Sequence, residues 1–390
     1  MENFMFRNTT RIVFGRGTES AVGSLSAAVS KKALLHWGRG SAARSGLLDR
    51  VKASLKEASV SWIELGGVQP NPRLSLVREG VALCRKEGIG LVLAVGGGSV
   101  IDSAKAIAAG VPYQGDVWDF YEGKAVPKAA LPVGCVLTIP AAGSETSGST
   151  VITNEDGLLK RGLTCDDHLR PAFSVLDPEL TATLPPDATA IGAADIMSHA
   201  MERYFTNSKD VDYSSRLLEA TMRSVAAVLP RVLAAPGDYA ARAELMWTGT
   251  LAHNDLFGMG RIGDWAAHDI EHELSGIYDV PHGAGLAVVF PAWMKFAYKH
   301  DPGLFARWAA RVWDVEDDYV RPERAALEGV RRLEAFYQRC GLAVRLSALG
   351  VGKERIEEMA AKATKGGSRT IGNFVKLGQK EIVEVLTLAL

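Results

Sequence analysis

Asp195, His199, His268, His272 and His282 are the side chains whose types and spacing are best suited to chemistry. Asp195 and His199 stand four apart in Ala193-Ala194-Asp195-Ile196-Met197-Ser198-His199. That spacing puts both on one face of a helix. His268 and His272 repeat it, and His282 follows ten residues later, in a loop-like stretch before Gly283. Three of the eight histidines thus fall within fifteen residues, a clustering that a scatter of structural histidines does not produce. One carboxylate with three imidazoles suits Zn2+ or Fe2+ and leaves a position open for substrate. Such a cation polarises an alcohol or carbonyl oxygen. A lone histidine is ordinarily a core or surface group. His36, His168, His253 and His300 lack the spacing and read that way.

Glycine turns supply a second kind of chemistry. Leu91 to Val95 is an apolar run, followed by Gly96-Gly97-Gly98-Ser99-Val100-Ile101-Asp102. A strand, a glycine turn and a helix start let backbone approach a phosphate, with free N–H groups and a partial positive charge facing it. An ordinary tight turn has the same composition, and neither the GxGxxG nor the Walker A pattern is present. Gly38-Arg39-Gly40-Ser41 closes an earlier apolar run, with no Asp or Glu between Lys31 and Leu48. An acidic residue there would favour a ribose 2′-hydroxyl, whereas arginine accommodates a 2′-phosphate. NADP is therefore favoured over NAD, against the alternative of a plain surface turn. Thr138 to Ser147 places small hydroxyl residues after another apolar run. They suit ribose or phosphate contacts, or equally a capped loop.

These groups need elements to hold them. Strand-like runs at 32–37, 59–65, 90–95 and 131–139 alternate with helical patterns at 45–58, 74–87 and 99–109, which predicts a parallel sheet covered on both faces. After Leu184-Pro185-Pro186-Asp187, a hinge with Asp187 as candidate N-cap, the pattern turns helical: 188–205, 213–233, 239–254, 263–274 and 323–340. Val288 to Phe290 is too short to assign. The expectation is an α/β domain over 1–185 and a helical domain over 186–390, with a ligand cleft between them.

Length and composition are those of a globular chain of two or three domains. A net charge of -1 argues against nucleic acid and anionic membranes as partners. No apolar run approaches the roughly 20 residues of a membrane span, and the first residues lack a signal-peptide pattern. Cys84, Cys135, Cys165 and Cys340 form no CxxC pair and read as reduced thiols of a cytoplasmic protein.

Three stretches resemble the iron-containing (group III) alcohol dehydrogenase family: Gly96 to Asp102, Ala194 to His199, and His268 to His282 with its Glu271-His272-Glu273-Leu274-Ser275 and His282-Gly283-Ala284-Gly285. The last, with Asn3-Phe4 and Asn8-Thr9-Thr10-Arg11-Ile12-Val13-Phe14-Gly15, is similar to the butanol-dehydrogenase branch. The resemblance implies an α/β dinucleotide-binding domain followed by an all-α metal domain, the dehydroquinate synthase-like fold. It implies Asp195, His199, His268 and His282 as ligands of one divalent metal, Fe2+ or Zn2+. His272, near the metal without ligating it, is then a candidate proton shuttle, and Asp102 a second catalytic candidate. Cofactor contacts are implied at Gly38, Arg39, Gly40, Ser41, Asn71, Gly97, Gly98, Ser99, Asp102, Thr138, Ser144, Ser147 and Lys160, with Leu180 and Leu184 at the domain edge. Position 39 carries Arg where many NADP-using members have a small residue. Family members are often homodimers through the N-terminal segment.

The expected activity is hydride transfer between NADP(H), or NAD(H), and a small aliphatic alcohol or aldehyde such as butanol or butanal. The alternatives are a dehydroquinate-synthase-like lyase or synthase, and a metal- or nucleotide-binding protein without turnover. The first would need several Lys and Arg side chains for a polyanionic substrate, yet Trp247 to Ala252 is neutral. Trp118, Phe120, Phe257 and Trp265 are candidates for an apolar pocket or for core packing.

Overall fold

Leu91 to Gly96 is buried at every position, as a central strand covered on both faces must be. In the computed structural model, which describes residues 1–316, 318 and 320–390, this run is β4 of a six-stranded sheet. The chain forms two compact units, one of Arg7–Leu184 with Gly237–Thr250, the other of Met1–Phe6, Pro185–Pro236 and Leu251–Leu390.

The α/β unit runs β1 (Arg11–Phe14), α1 (Val22–Ala27), β2 (Lys32–Gly38), α2 (Ser41–Arg44), α3 (Leu47–Glu57), β3 (Ser61–Val68), α4 (Leu74–Glu87), β4 (Leu91–Gly96), α5 (Gly98–Gly110), α6 (Trp118–Tyr121), β5 (Val133–Leu137), β6 (Ser149–Asn154), β7 (Leu159–Thr164), α7 (Asp166–Leu169) and β8 (Phe173–Leu176). The sheet order is β1-β8-β5-β4-β2-β3 with every pair parallel, and β6 and β7 form a separate antiparallel hairpin. β2 connects outward to β3, while β4 lies on the other side of β2 and connects towards β5. The order reverses between β2 and β4, and ligands favour the carboxyl ends of strands at such a switch point. Trp37 pairs with Val95, so the glycine turns after β2 and β4 leave the sheet side by side.

Two apolar layers cover the sheet. One packs Leu34, Val92, Ala94 and Leu137 against α4 and α5, through Val77, Val81, Ile101 and Ile107. The other packs Leu35, Leu93, Val95 and Val136 against α3, through Leu48, Val51 and Leu55. Trp118 and Phe120 belong to the first layer, where Trp118 stacks on Tyr121, and are core residues. α4 begins and ends where its periodicity predicts, stopped by Gly88 at φ +62°. β1, β8 and the β6–β7 hairpin were not expected. β1 and β8 are only four residues long, too short to give a periodic signal.

The helical unit is built from α8 (Pro186–Tyr204), α9 (Asp212–Ala234), the end of α10 (Tyr239–Ala252), α11 (Ala266–Tyr278), α12 (His282–Ala297), α13 (Pro302–Trp313), α14 (Pro322–Arg339), α15 (Ile356–Ala363) and α16 (Gln379–Leu388). Asp187 is not the N-cap of α8. It lies in the first turn, where proline at N1 presets the backbone and Pro185 is the capping position. Val288 to Phe290 falls inside α12, a helix buried almost all round, which hides its period. His282 is the first residue of that helix rather than part of a loop. No helix among the described residues is long and apolar enough to cross a membrane.

Candidate functional site

α8, α11 and α12 of the helical unit bring the Asp/His set together. The donor atoms of Asp195, His268 and His282 all lie within 4.8 Å of one another. His199 adjoins them: its Nδ1 is 3.3 Å from Asp195 Oδ1, and its ring centroid is 4.9 Å from that of His268. His272, half-buried one turn beyond His268, has its ring centroid 5.6 Å from that of His282.

The surroundings suit a cation. Metal ligands must be neutral imidazoles. Burial, reinforced by His253, His268 and Arg203, holds His199 well below the ordinary imidazole range, so it is neutral. His268 Nδ1 is 2.7 Å from Glu202 Oε1, and His282 Nδ1 contacts Glu271 Oε2. Each ring therefore has Nε2 as the atom it offers to a metal. Glu271, His272 and His282 also lie close enough to share an ion. Glu271, however, spends one oxygen on His282 Nδ1 and the other on the Ser275 hydroxyl, which marks it as a support rather than a ligand. The donor set of one carboxylate and three imidazoles fits Fe2+ or Zn2+.

Glu202 is not singled out by the sequence, His253 reads there as a core or surface group, and Trp265 only as a candidate for an apolar pocket or core packing; all three border the cluster. Glu202 is fully buried, and burial raises its carboxyl to about 8 although the His268 and Trp265 N–H groups oppose the shift. Its signal was present: it lies seven residues after Asp195 and so continues the same helix face. His253 packs edge-on against His199, centroids 4.2 Å apart. Trp265 lies 5.2 Å from His268 and 5.8 Å from His253, with the Arg203 guanidinium over its ring. Sequence could not place these last two, because they come from the segments before α11 rather than from a helix face.

In the α/β unit the glycine turn after β4 starts α5. Its N-cap, Gly97, has no side chain to bond the first N–H groups of the helix, the condition a phosphate site requires. A Cβ on Gly97 would meet Ile139 at 3.1 Å, and one on Gly98 would meet Ala142 at 3.0 Å. Glycine at both positions avoids these tight contacts with Ile139 and Ala142. Ser99 lies inside the helix rather than capping it. The Thr138 N–H donates to the Gly96 carbonyl (3.0 Å), which ties the hydroxyl segment to the turn.

Asp102 sits one turn into α5, and its carboxylate is taken up internally. The Ser144 hydroxyl donates to Oδ1 (2.6 Å) and the Val151 N–H to Oδ2 (2.9 Å). Burial raises its pKa, opposed by Lys105. Lys105 is completely buried, and its ammonium donates to the Ser144 carbonyl and hydroxyl and to the Ser147 and Ser149 carbonyls at 2.6–2.9 Å. Ser144 and Ser147 are thereby fixed beside α5. The Thr153 N–H donates to the Pro72 carbonyl (2.8 Å), which joins the hairpin to the loop of Asn71, where φ is +55°. Lys160 is buried on β7. In the turn after β2, Gly40 has φ +119° and the exposed Arg39 reaches Gln69. Leu180 and Leu184 follow β8, Leu180 half-buried against the second apolar layer.

A family profile for iron-containing alcohol dehydrogenase matches residues 9–178, and the C-terminal profile of the same family matches 189–390. The chain is 41% identical over 390 residues to a probable NADH-dependent butanol dehydrogenase of Bacillus subtilis, covering 100% of both. It is 35% identical to the NADPH-dependent aldehyde reductase YqhD of Escherichia coli, with 95% of each covered. The crystal structure of an NADH-dependent butanol dehydrogenase A from Thermotoga maritima superposes with a TM-score of 0.95 at 41% identity, covering 100% of this chain and 99% of that one.

Proposed function

The chain belongs to the iron-containing alcohol dehydrogenase family, and on that premise we propose how its residues divide the work of an NAD(P)-dependent alcohol dehydrogenase and aldehyde reductase. The α/β unit holds the dinucleotide, and the helical unit holds the metal and substrate. Small aliphatic aldehydes such as butanal, with the matching alcohols, are the substrates. The names of the relatives support this class, and none of those reported above is a lyase or a protein without turnover.

The observation that carries the reading is the convergence of Asp195, His268 and His282, with His199 beside them, on one point. They hold one divalent metal, Fe2+ or Zn2+. When bound, the metal supplies Lewis-acid polarisation of the substrate oxygen and the nicotinamide supplies the hydride. The chain does the rest. Gly97, Gly98 and Ser99 bind the pyrophosphate, Ser144 and Ser147 orient the cofactor, and Asp102 with Lys105 holds that segment in place. His272 gives a proton to the alkoxide formed in reduction and takes it back in oxidation.

The reading extends to NADP(H) in preference to NAD(H), supported by Arg39 and by the absence of a carboxylate between Lys31 and Leu48. It extends to a homodimer formed through the N-terminal segment, supported by the exposed Phe4, Met5 and Phe6. The four free cysteines support a reducing, cytoplasmic setting.

Titration with NADPH against NADH, after loading with Fe2+ or Zn2+ and with butanal present, tests the reading through absorbance at 340 nm. Aldehyde-dependent loss of reduced cofactor in the metal-loaded sample alone is expected. Turnover that survives complete metal removal would overturn the metal assignment.

A further inference from the structure

α8 presents Asp195, His199 and Glu202 at i, i+4 and i+7, along one face. Two of these positions belong to the proposed metal set; the third reaches α11 instead. Glu202 Oε1 accepts the His268 backbone N–H (3.0 Å) and lies 2.7 Å from His268 Nδ1, while Oε2 accepts the Trp265 N–H (2.5 Å). α11 has no side-chain cap of its own, and its N-cap, Trp265, is left-handed at φ +68°. A carboxyl group from another helix therefore takes two of the N–H groups at the helix start, while Asp264 Oδ2 accepts the Ala266 N–H (3.3 Å). The same carboxyl group of Glu202 fixes the ring of the ligand three residues into that helix.

The arrangement repeats one helix further on. Glu271 lies three residues after His268 on α11 and contacts His282 Nδ1 at the start of α12. Its other oxygen accepts from the Ser275 hydroxyl, and that hydroxyl is also 2.8 Å from the Val280 carbonyl. A Cβ on Gly285 would stand 2.7 Å from Glu271 Oε1, so glycine at that position makes room for the carboxylate.

We propose that Glu202 and Glu271 are positioning residues acting in series. α8 orients the metal ligand of α11, and α11 orients the metal ligand of α12, so that three helices close on one cation as a unit. The inference rests on the metal reading above and adds two residues that touch neither metal nor substrate. With Nδ1 of both rings engaged, Nε2 is directed at the cation without a search over ring orientations, and the histidines become better donors. Both carboxyl groups are fully buried, and Glu202 is the stronger of the two because it holds two backbone groups as well as the ring.

The test uses the full chain stripped of metal and titrated with Zn2+ against a chromophoric chelator. Glu202→Gln and Glu271→Gln keep the side-chain shape and should weaken Zn2+ binding by roughly 10–100-fold. The Glu202 variant should lose more, and dinucleotide affinity should not change in either. Ser275→Ala leaves every ligand and both glutamates in place, and it should weaken Zn2+ binding several-fold by loosening Glu271. The control is Glu219→Gln, a buried glutamate bonded to Tyr204 and Arg307. It should lower thermal stability without changing Zn2+ affinity. Zn2+ affinity within twofold of the parent in both glutamate variants overturns the proposal and leaves the metal reading standing. A parent chain that fails to bind Zn2+, Fe2+ or Co2+ overturns both. Should Glu202→Gln not fold, Glu271→Gln and Ser275→Ala decide alone.

Discussion

In the helical unit the ligands offered to a cation are side-chain atoms on helix faces, at positions 195, 199, 268 and 282. In the α/β unit the candidate phosphate site is mostly backbone, at Gly97 and Gly98, and the buried Lys105 with Asp102 ties the neighbouring Ser144–Val151 segment to α5. A metal needs particular atoms, so residue type at helical spacing defines the first site. A phosphate needs N–H groups and space, so the second is defined by what is missing, the Cβ at two glycines. The first site should therefore fail by loss of a donor, and the second by gain of bulk.

The largest expected effect separates them in both directions. His268→Ala should remove metal binding and lower turnover by roughly a thousandfold or more, the scale of several kcal/mol of lost charge stabilisation, with dinucleotide affinity intact. Gly98→Val places a branched side chain where a Cβ already meets Ala142 at 3.0 Å. Its dinucleotide Kd should rise roughly tenfold or more while metal content stays at the parent level. Equilibrium dialysis for metal and fluorescence titration for cofactor read the two separately. Loss of both activities in either variant would break the comparison.

Lys105 sharpens it. Its ammonium lies 2.6–2.9 Å from three carbonyls and one hydroxyl beside Asp102, which share its three protons, and burial pushes its pKa down to about 8. Lys105→Met should destabilise the α/β unit by about 3–5 kcal/mol, since it leaves buried acceptors and a carboxylate uncompensated. Denaturant titration checks it, and a change under 1 kcal/mol would contradict the account. Nothing in the sequence marks this lysine. It sits among small apolar residues of α5, and its partners lie 39 to 44 residues on. The helical site was legible because Asp195 to His199 and His268 to His272 carry their geometry within one turn. Glu202 was legible by the same rule, since it continues the face of Asp195. His253 and Trp265 were not, because left-handed residues at Asp255 and Trp265 redirect the chain around them. The sheet followed from β2, β4 and β5, where burial gives continuous apolar runs, and from β3, an edge strand that is largely half-buried or exposed. β1 and β8 depend on each other across most of the α/β unit, which no local period records; the hairpin pairs with itself, Asn154 opposite Leu159, and was passed over because its two short strands lack a continuous apolar run.

A histidine inside the α/β unit makes a useful contrast with the cluster. His36 on β2 is fully buried, its Nδ1 2.7 Å from the Leu65 carbonyl and its Nε2 2.8 Å from the Ser103 hydroxyl. Burial pushes it down to about 4. Above about pH 6.5 folded and unfolded chains are both neutral here, and the stabilisation is complete. As pH falls from there towards 4, the unfolded chain takes up a proton that the folded one refuses, and up to about 3 kcal/mol is lost. Denaturation midpoints of the parent and of His36→Gln at both ends of that window isolate this share. The variant should decline less. An identical decline would show that His36 takes up its proton in the folded state as readily as in the unfolded one, and that burial does not hold it neutral.

The smallest expected effect comes from the two ends of α11, both left-handed. Trp265 has φ +68° at the start and Asp279 has φ +55° at the end. An L-residue in that region costs about 1–2 kcal/mol, less for aspartate than for a bulky aromatic ring. Trp265 is held there by His268, His253 and Arg203 around its ring, so relaxing it to glycine would remove a wall of the site along with the strain. Asp279 is exposed, and its N–H donates to the Ser275 carbonyl (2.9 Å) as in an ordinary helix end. Glycine preserves that bond. Asp279→Gly should therefore raise stability by about 0.5–1 kcal/mol with metal affinity unchanged. A drop in metal affinity would mean that the turn between α11 and α12, and not Glu271 alone, sets the position of His282.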